Sequence, residues 1–460
     1  LRLNPRDNSE DNQESAELKT RDTVLTCRHC QAQFKFTSRQ QANHEERGYA
    51  VPTRCPECQA KRQARRRANR SGEPTLNTQS EQPSVILSEA FAAFGLDGRL
   101  NRAIQEAGFE TPTPVQAATI PVGLEGRDVI GTAQTGTGKT AAFVLPLLQH
   151  LLKYPSRRPG TRVLVLTPTR ELAEQVNAVF KQLGKFTKIR SATIYGGVGM
   201  GPQQRALRDG TEIIVACPGR LLDHMDRGNT NFTTVDKLVL DEADRMLDMG
   251  FLPPIRRILA KLPSERHTML FSATFAPELN QLAADHLKSP QRIAVDLHAP
   301  AKTVAHSLYP CPQHLKTALV MKLLERTETN SVLIFIRTKH RASQVALQIE
   351  KAGYSTAALH ANKSQSQRQA ALKDFRSGRC QIMVATDIAA RGLDVESISH
   401  VINYDIPDTA DTYIHRIGRT GRAERTGHAL TLVTREDKGL VYEIEKVLSD
   451  SIECVKLEDF

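Results

Sequence analysis

From residue 88 onward, short apolar runs rich in β-branched residues alternate with stretches whose apolar residues recur at helical spacing. Continuous apolar runs are typical of parallel strands that are buried on both faces. Helical spacing predicts amphipathic helices over 172–183 and 279–287. A first series of strands is predicted over 129–130, 163–166, 213–216, 238–240 and 269–271. This alternation predicts an α/β domain with a parallel sheet.

The rhythm breaks at 296–303, and a second series of strands follows over 332–336, 356–359, 382–385, 401–403 and 429–433. We therefore predict two tandem α/β domains, residues 88–297 and 303–460. The polar segment 1–22 is expected to be disordered. Residues 23–60 hold two cysteine pairs, and 61–87 is expected to be a linker, first basic and then rich in Ser, Gln, Asn and Pro.

Composition supports a globular protein of two or three domains, because 460 residues of which 40% are hydrophobic can bury sizeable cores. No run approaches the 18 apolar residues typical of a membrane span, and the first residues lack the apolar core of a signal peptide. The eight cysteines do not resemble a secreted disulfide framework. We expect a soluble cytoplasmic protein. Because the chain begins at Leu1, a targeting signal that was lost with the natural N-terminus stays an open alternative.

The net charge of +11 is concentrated near the N-terminus. Residues 59–72 contain six basic residues and no acidic residue. Such a block favours a polyanionic partner, most often a nucleic acid, although a solvated linker would have the same composition. The four scattered cysteines lie mostly in or beside apolar stretches, and we expect them to be small buried side chains: Cys217, Cys311, Cys380 and Cys454.

A glycine-rich loop lies between the first predicted strand and a predicted helix over 141–152, and reads Ala133-Gln134-Thr135-Gly136-Thr137-Gly138-Lys139-Thr140. Glycines permit tight backbone turns, and the N–H groups of a helix start cradle phosphate oxygens. In this setting Lys139 is expected to reach the β- and γ-phosphates, and Thr140 to ligate Mg²⁺. The loop therefore predicts a site for a nucleoside triphosphate.

Two adjacent carboxylates, Asp241 and Glu242, follow the strand predicted over 237–240. Ligands of open parallel sheets bind at the carboxyl ends of strands. Asp241 is expected to hold Mg²⁺, and Glu242 to orient and deprotonate an attacking water. The alternative is an acidic helix start, since Asp and Glu are favoured there. Together with the glycine-rich loop, the pair predicts triphosphate hydrolysis.

The tetrapeptide Asp-Glu-Ala-Asp at 241–244 resembles that of the DEAD-box RNA helicases, and the resemblance extends from residue 88 to about 440. Further elements of that family have similar counterparts, in the same order, at 108–116 with Phe91 upstream, 168–173, 196–197, 218–220, 272–274, 365–368, 385–394 and 415–422. Cys217 stands where the family usually has threonine, which puts one contact in doubt. The resemblance implies two RecA-like domains.

The resemblance also implies a nucleotide site shared by both domains. Gln116 would pair with an adenine edge and Phe109 would pack on the base, so that ATP is preferred, although a polar residue at a helix start is the plainer explanation of Gln116. Asp394 would contact the ribose. Arg419 and Arg422 would reach the γ-phosphate from the second domain, or else form surface ion pairs or RNA contacts.

RNA is the partner that the resemblance implies, held through sugar and phosphate without reading of bases. Six residues would line one strand across both domains: Arg170, Gly197, Arg220, Gln365, Arg368 and Thr386. Ser272 and Thr274 would couple the γ-phosphate to the RNA face. Bending of the bound strand would separate a short duplex. Two alternatives stay open: an ATPase that clamps RNA or remodels ribonucleoproteins, and a non-enzymatic RNA-binding scaffold.

The N-terminal cysteines form two C-x₂-C pairs, Cys27 with Cys30 and Cys55 with Cys58. Four thiolates around a tetrahedral Zn²⁺ are the preferred interpretation, and the segment resembles a zinc ribbon. A redox dithiol and a disulfide are the alternatives. So small a segment would depend on metal binding for its folding. The module would either tether RNA through its basic neighbour or bind a protein or ribosomal partner.

Overall fold

A computed structural model describes residues 22–60 except 29, and residues 89–457 except 134–136, 157–158, 295–303, 328–330, 391–397 and 422–425. The chain divides into two compact units, residues 1–84 and 85–460. The segment 1–22 predicted to be disordered, apart from Asp22, and the linker predicted over 61–87 lie outside the described residues. The predicted boundaries near 60, 88 and 297–303 therefore stay predictions.

The described part of the N-terminal unit is a β-hairpin followed by a helix. Strand β1 (Thr23–Thr26) pairs antiparallel with β2 (Gln33–Phe36), and α1 spans Ser38–Glu46. Thr37 caps α1, because its hydroxyl accepts from the Gln40 N–H while its own N–H donates to the Gln40 side chain. Residues 56–60 are helical as well. Phe36, Cys27 and Cys55 are the buried apolar residues of this part, so its core is very small.

The first half of the second unit, lobe 1 (residues 89–294), is built on a seven-stranded parallel sheet with the strand order β5-β6-β4-β7-β8-β3-β9. Its helices are α2 (Glu89–Ala92), α3 (Gly98–Glu106), α4 (Pro114–Leu124), α5 (Lys139–Lys153), α6 (Arg170–Leu183), α7 (Met200–Arg208), α8 (Pro218–Asp226), α9 (Ala243–Asp248), α10 (Leu252–Leu259) and α11 (Pro277–His286). Its strands are β3 (Val129–Thr132), β4 (Val163–Leu166), β5 (Ser191–Ile194), β6 (Ile213–Ala216), β7 (Lys237–Leu240), β8 (His267–Ser272) and β9 (Gln291–Ala294).

The second half, lobe 2 (residues 304–457), repeats the plan with the strand order β12-β13-β11-β14-β15-β10-β16, again entirely parallel. Its strands are β10 (Val304–Pro310), β11 (Val332–Phe335), β12 (Thr356–Leu359), β13 (Ile382–Ala385), β14 (His400–Asn403), β15 (Gly427–Val433) and β16 (Glu453–Cys454). Its α-helices are α12 (Lys316–Arg326), α13 (Lys339–Lys351), α14 (Gln365–Arg376), α15 (Asp387–Ala390), α16 (Ala410–Ile417) and α17 (Lys438–Leu448).

Burial on both faces explains the continuous apolar runs. Along β4, Val163 and Val165 face one core of lobe 1, whereas Leu164 and Leu166 face the other. In β11 of lobe 2, successive residues likewise alternate between two cores. The predicted fold class, two tandem parallel-sheet domains behind a small cysteine-containing module, is confirmed. One detail is wrong: Cys454 lies on the edge strand β16 and is exposed, while the other three scattered cysteines are buried.

Candidate functional site

The strand order of lobe 1 brings the predicted chemistry to one edge of the sheet. Strand β8 lies between β7 and β3, and all three run parallel. The residues that follow β7, end β8 and follow β3 therefore lie side by side at the carboxyl edge. They are Asp241, Ser272 and the glycine-rich loop that begins at Ala133.

The loop is closed by its own lysine. Lys139 opens α5, is buried, and donates from Nζ to the carbonyl oxygen of Ala133 at 2.7 Å. Gly138, just before the helix, has φ of +90°, which is in the left-handed region. A side chain there would also lie 2.5 Å from the Gln116 amide nitrogen. Gln134, Thr135 and Gly136 lie outside the described residues, whereas Thr137 and Thr140 flank the helix start.

Gln116 is held at this loop. Its side-chain Nε2 donates to the carbonyl of Gly138 at 3.2 Å, and its Oε1 accepts from the N–H of Thr113 at 3.0 Å. The amide can still donate one hydrogen bond and accept another, so pairing with adenine stays a prediction. Phe109 packs beside Phe91, with ring centroids 6.3 Å apart, and is partly buried. Its contact with a base also stays a prediction.

The two carboxylates after β7 are almost fully buried, with Asp241 2% and Glu242 4% exposed. Within the described residues, Asp241 Oδ1 and Glu242 Oε2 have no hydrogen-bond partner. Burial raises the pKa of Asp241 to about 6; Lys139 opposes this shift and Glu242 adds to it. Glu242 has φ of +51°, a conformation that non-glycine residues rarely adopt and that is concentrated at functional sites. Asp241 thus offers, at the edge of the sheet, a buried carboxylate oxygen without a hydrogen-bond partner among the described residues.

A network that the sequence did not predict links this carboxylate cluster to β8. Asp244 Oδ2 accepts from the N–H groups of Ala273 and Thr274 and from the Thr274 hydroxyl, at 3.0–3.2 Å. The N–H of Asp244 donates to Ser272 Oγ at 3.2 Å. Ser272 and Thr274 are therefore both hydrogen-bonded to Asp244, whereas their coupling role stays a prediction. The sequence signal for Asp244 was its place in the 241–244 motif.

Three predicted RNA contacts of lobe 1 lie together. Gly197 has φ of +81°, and a Cβ on it would overlap the guanidinium of Arg170. Arg220 donates to the carbonyl of Val198 at 3.0 Å. Two guanidinium groups thus converge on one glycine turn, a concentration of positive charge that suits a phosphate backbone. Their contact with RNA stays a prediction.

In lobe 2, Arg416 organises the edge of the sheet. It makes a bidentate ion pair with Asp387, both distances 2.6 Å, and donates to Asn403 Oδ1 at 3.0 Å. Arg416 and Asp387 belong to two motifs of the predicted family, but no local pattern indicates that they form a pair. Arg419 is buried nearby. Thr386 follows β13, whereas Asp394 and Arg422 lie outside the described residues.

The two lobes are in contact. Arg368 Nε of lobe 2 donates to Glu171 Oε1 of lobe 1 at 2.8 Å, and both side chains are at most 10% exposed. Arg368, predicted to touch RNA, is therefore placed in a buried ion pair between lobes; Gln365 is buried one turn earlier. A cavity of about 20 Å³, enough for one water molecule, is lined by Arg245 of lobe 1 and by Arg419 and other residues of lobe 2.

The four N-terminal cysteines form one cluster, with all four Sγ atoms within 4.8 Å of one another. Cys30 Sγ lies 3.7 Å from Cys55 Sγ. A hydrogen bond with Cys55 and, to a smaller extent, burial raise the pKa of Cys58 to about 12. Four thiols crowded together in this way oppose ionisation unless a cation lies between them.

Among residues 22–60 and 89–457, with the gaps given above, no helix has both the length and the apolar character needed to cross a membrane.

Three family models match the chain: DEAD/DEAH box helicase at residues 113–282, helicase conserved C-terminal domain at 315–424, and probable treble clef domain at 21–67. The third model agrees with the hairpin, helix and cysteine cluster, and gives a treble clef where the sequence resembled a zinc ribbon.

Known proteins are similar over both lobes. DEAD-box ATP-dependent RNA helicase 30 of Arabidopsis thaliana is 44% identical over 359 residues, which are 77% of this chain and 61% of that protein. DEAD-box ATP-dependent RNA helicase CshA of Bacillus subtilis (strain 168) is 40% identical over 80% of this chain and 74% of its own. The structure of S. cerevisiae Dbp5 bound to RNA and ADP BeF3 aligns with a TM-score of 0.73 at 31% identity, over 81% of this chain and 97% of that one. The chain thus spans about three fifths of the Arabidopsis relative, and it belongs to the DEAD-box ATP-dependent RNA helicase family.

Proposed function

We propose that the protein is an ATP-dependent RNA helicase that separates short RNA duplexes by bending one strand locally. The observation that carries this proposal is the contact between lobes: Arg419 of lobe 2 lines the same small cavity as Arg245, three residues after Glu242. An arginine supplied across a cleft is an element worth about 10³–10⁵ in rate in phosphoryl transfer. One ATP between the lobes would then complete a site that neither lobe holds alone.

Each residue of this site has a defined task. Lys139 would leave the Ala133 carbonyl to bind the β- and γ-phosphates, and Glu242 would orient the attacking water and accept its proton. Arg419 and Arg422 would stabilise charge on the γ-phosphate. Asp241 Oδ1, buried and without a hydrogen-bond partner among the described residues, fits a hard cation, and Thr140 is a second oxygen donor. Mg²⁺ held there would neutralise phosphate charge.

RNA would lie across both lobes in the closed arrangement, the one described here with the lobes in contact. The cluster of Arg170, Gly197 and Arg220 would hold the backbone on lobe 1, and Thr386 on lobe 2. Support comes from the yeast relative, whose RNA-bound structure aligns with both lobes of this chain at once. Hydrolysis and loss of phosphate would separate the lobes and release the strand.

A short-duplex unwinding assay tests the helicase proposal against an RNA clamp or ribonucleoprotein remodeller. A helicase releases a labelled strand of about ten base pairs in an ATP-dependent manner, whereas a clamp hydrolyses ATP on RNA without strand release. Glu242→Gln tests the chemistry, because it removes the proton acceptor and keeps the shape. We expect turnover to be lost while ATP and RNA binding persist. A non-enzymatic scaffold would show no turnover in either protein.

We also propose that the cysteine cluster binds Zn²⁺ through Cys27, Cys30, Cys55 and Cys58. A tetrahedral site with Zn–S bonds of about 2.3 Å places its sulfur atoms about 3.8 Å apart. The observed 3.7 Å between Cys30 and Cys55 fits that geometry. Elemental analysis of the purified protein should give one zinc per chain, and Cys55→Ser should abolish it. Cys454→Ser, at an exposed cysteine outside the cluster, is the matched control.

The N-terminal unit would tether RNA, since six basic residues lie at 61–70 in sequence directly after the cysteine cluster. Binding of a protein or ribosomal particle is the alternative. Removal of residues 1–80 should raise the RNA concentration needed for half-maximal ATPase and flatten its dependence on salt. An unchanged salt slope would favour the protein partner.

A cytoplasmic location is proposed from the same cysteines, because a thiolate metal site persists in a reducing compartment. Cell fractionation with an antibody against the chain tests it.

A further inference from the structure

Arg245 lies beside the carboxylate cluster of Asp241, Glu242 and Asp244 but has no part in the predicted chemistry. It is on α9, three residues after Glu242, and its Nη1 lies 3.3 Å from Glu242 Oε2. Both side chains are 4% exposed. The distance makes this an ion pair, yet neither atom has a hydrogen bond to the described residues, so the two groups attract without being locked together.

The charge balance shows why Glu242 needs this cation. Asp241, Glu242 and Asp244 place three buried carboxylates in four residues. The cationic or titratable groups that interact with Asp241 or Asp244 are Lys139 at the start of α5, Arg245 on α9 and His415 of lobe 2, and Arg419 interacts with His415. Lys139 donates to the Ala133 carbonyl here and is assigned to the phosphates when ATP is bound, so it is engaged elsewhere in both cases. Arg245 is the cation found in an ion pair with Glu242 within the described residues.

Arg245 also contacts the space between the lobes. Arg245 lines the cavity of about 20 Å³ together with His415 and Arg419 of lobe 2. Lobe 2 therefore covers the side of Arg245 that would otherwise face solvent. With that cover, the guanidinium is confined next to Glu242. Without it, the side chain is free to extend into water, since a long arginine readily keeps its charged end solvated.

We propose that Arg245 is a positioning residue that holds the Glu242 carboxylate toward the attacking water only while lobe 2 packs over its guanidinium. Closure of the lobes would thus orient the Glu242 carboxylate as well as place Arg419 near the γ-phosphate. The inference rests on the proposed ATPase function and adds one element to it. The orientation of Glu242 would depend on lobe 2 through Arg245, a residue with no assigned contact to the nucleotide.

The test compares Arg245→Met, which keeps length and removes charge, with Arg245→Lys, which keeps charge. A shift of about 1 Å in a catalytic group costs up to about a hundredfold in rate. We expect Arg245→Met to lower the RNA-stimulated kcat about 10–100-fold while the KM for ATP changes less than threefold. Arg245→Lys should recover most of the loss. Arg257→Met is the matched control, because Arg257 forms an exposed ion pair with Asp226 on the same lobe.

Binding of a fluorescent ATP analogue and thermal unfolding show whether each variant is folded. If Arg245→Met lowers stability, the kcat of folded Arg245→Lys, divided by that of the Arg257→Met control, still tests the proposal, which expects the two values to be similar. A rise in KM with unchanged kcat would overturn the proposal, as would a lysine variant as slow as the methionine variant. Absence of ATP hydrolysis by the unmodified protein would instead refute the proposed function, so the two failures are distinguishable.

Discussion

The buried ion pair between Glu171 and Arg368 should control closure of the lobes. It joins residues 197 positions apart, one from each lobe, at 2.8 Å and with at most 10% exposure. In separated lobes both groups would be solvated, so their interaction contributes to closure and not to the folding of either lobe. Arg368→Met would leave the Glu171 carboxylate buried in the closed arrangement without its partner.

Breaking a buried pair by removing one partner costs about 3–5 kcal/mol. Since 1.4 kcal/mol is a factor of ten, the closing equilibrium should weaken at least about a hundredfold. The double variant Glu171→Gln with Arg368→Met removes both charges and should recover much of the lost closing free energy. Replacing both members of a buried ion pair by uncharged side chains often changes the free energy little. The coupling energy is then the difference between the double variant and the sum of the singles.

The assay is RNA-stimulated ATP hydrolysis as a function of RNA concentration, at two salt concentrations. If the pair controls closure, the RNA concentration at half-maximal rate rises in each single variant and falls back in the double variant. Arg379→Met, which breaks an exposed pair on lobe 2, is the control. Additive losses, with a salt slope about one unit smaller for Arg368→Met, would refute this reasoning and assign Arg368 to a phosphate.

Three further predictions concern single positions. Gly197→Ala should weaken RNA binding about tenfold, measured by fluorescence anisotropy, without changing ATP affinity, because left-handed backbone costs other residues about 1–2 kcal/mol and the new methyl group displaces Arg170. Gly138→Ala should weaken ATP binding in a filter or fluorescence assay, because its Cβ would lie 2.5 Å from the Gln116 amide. Burial, and after it the positive charge of Arg245, lowers the pKa of His415 from an ordinary 6.5 to about 3 in the closed arrangement. Open protein therefore takes up a proton below pH 6.5 that closed protein excludes, so the RNA-stimulated rate should fall up to about tenfold per pH unit there, and His415→Asn should flatten the profile.

Much of the fold follows from the sequence because the central strands are apolar on both faces. Residues 163–166 and 332–335 were predicted as strands and are strands. The strands of the two lobes that were missed lie at or next to sheet edges. In lobe 1, β5 (Ser191–Ile194) is partly exposed and β9 (Gln291–Ala294) is mostly exposed; in lobe 2, β10 and β16 were missed. Side chains that meet solvent on one face often do not form a continuous apolar run, so periodicity gives a weak signal there, although the edge strand β12 was predicted.

The positions of Lys139 and of the carboxylates could be predicted because one motif sets each of them: Lys139 opens α5 and the carboxylates follow β7. Their catalytic roles stay predictions. The site was not predictable where partners come from distant segments. Nothing in the local sequence of Arg368 indicates that a glutamate of the other lobe neutralises it. Arg245 likewise shows its relation to lobe 2 only when the cavity between the lobes is seen. Tertiary pairing of charges depends on how two folded surfaces meet, which local patterns do not encode.

The most direct test of a nucleotide site shared by both lobes is ATP hydrolysis by residues 85–297 alone, compared with the whole chain, with and without single-stranded RNA. Lobe 1 has its own sheet and two cores, so it should fold and still bind an ATP analogue. The shared site predicts that this fragment hydrolyses ATP at least about a thousandfold more slowly than the RNA-stimulated whole chain and does not respond to RNA. Equal rates, or stimulation of the fragment by RNA, would contradict it.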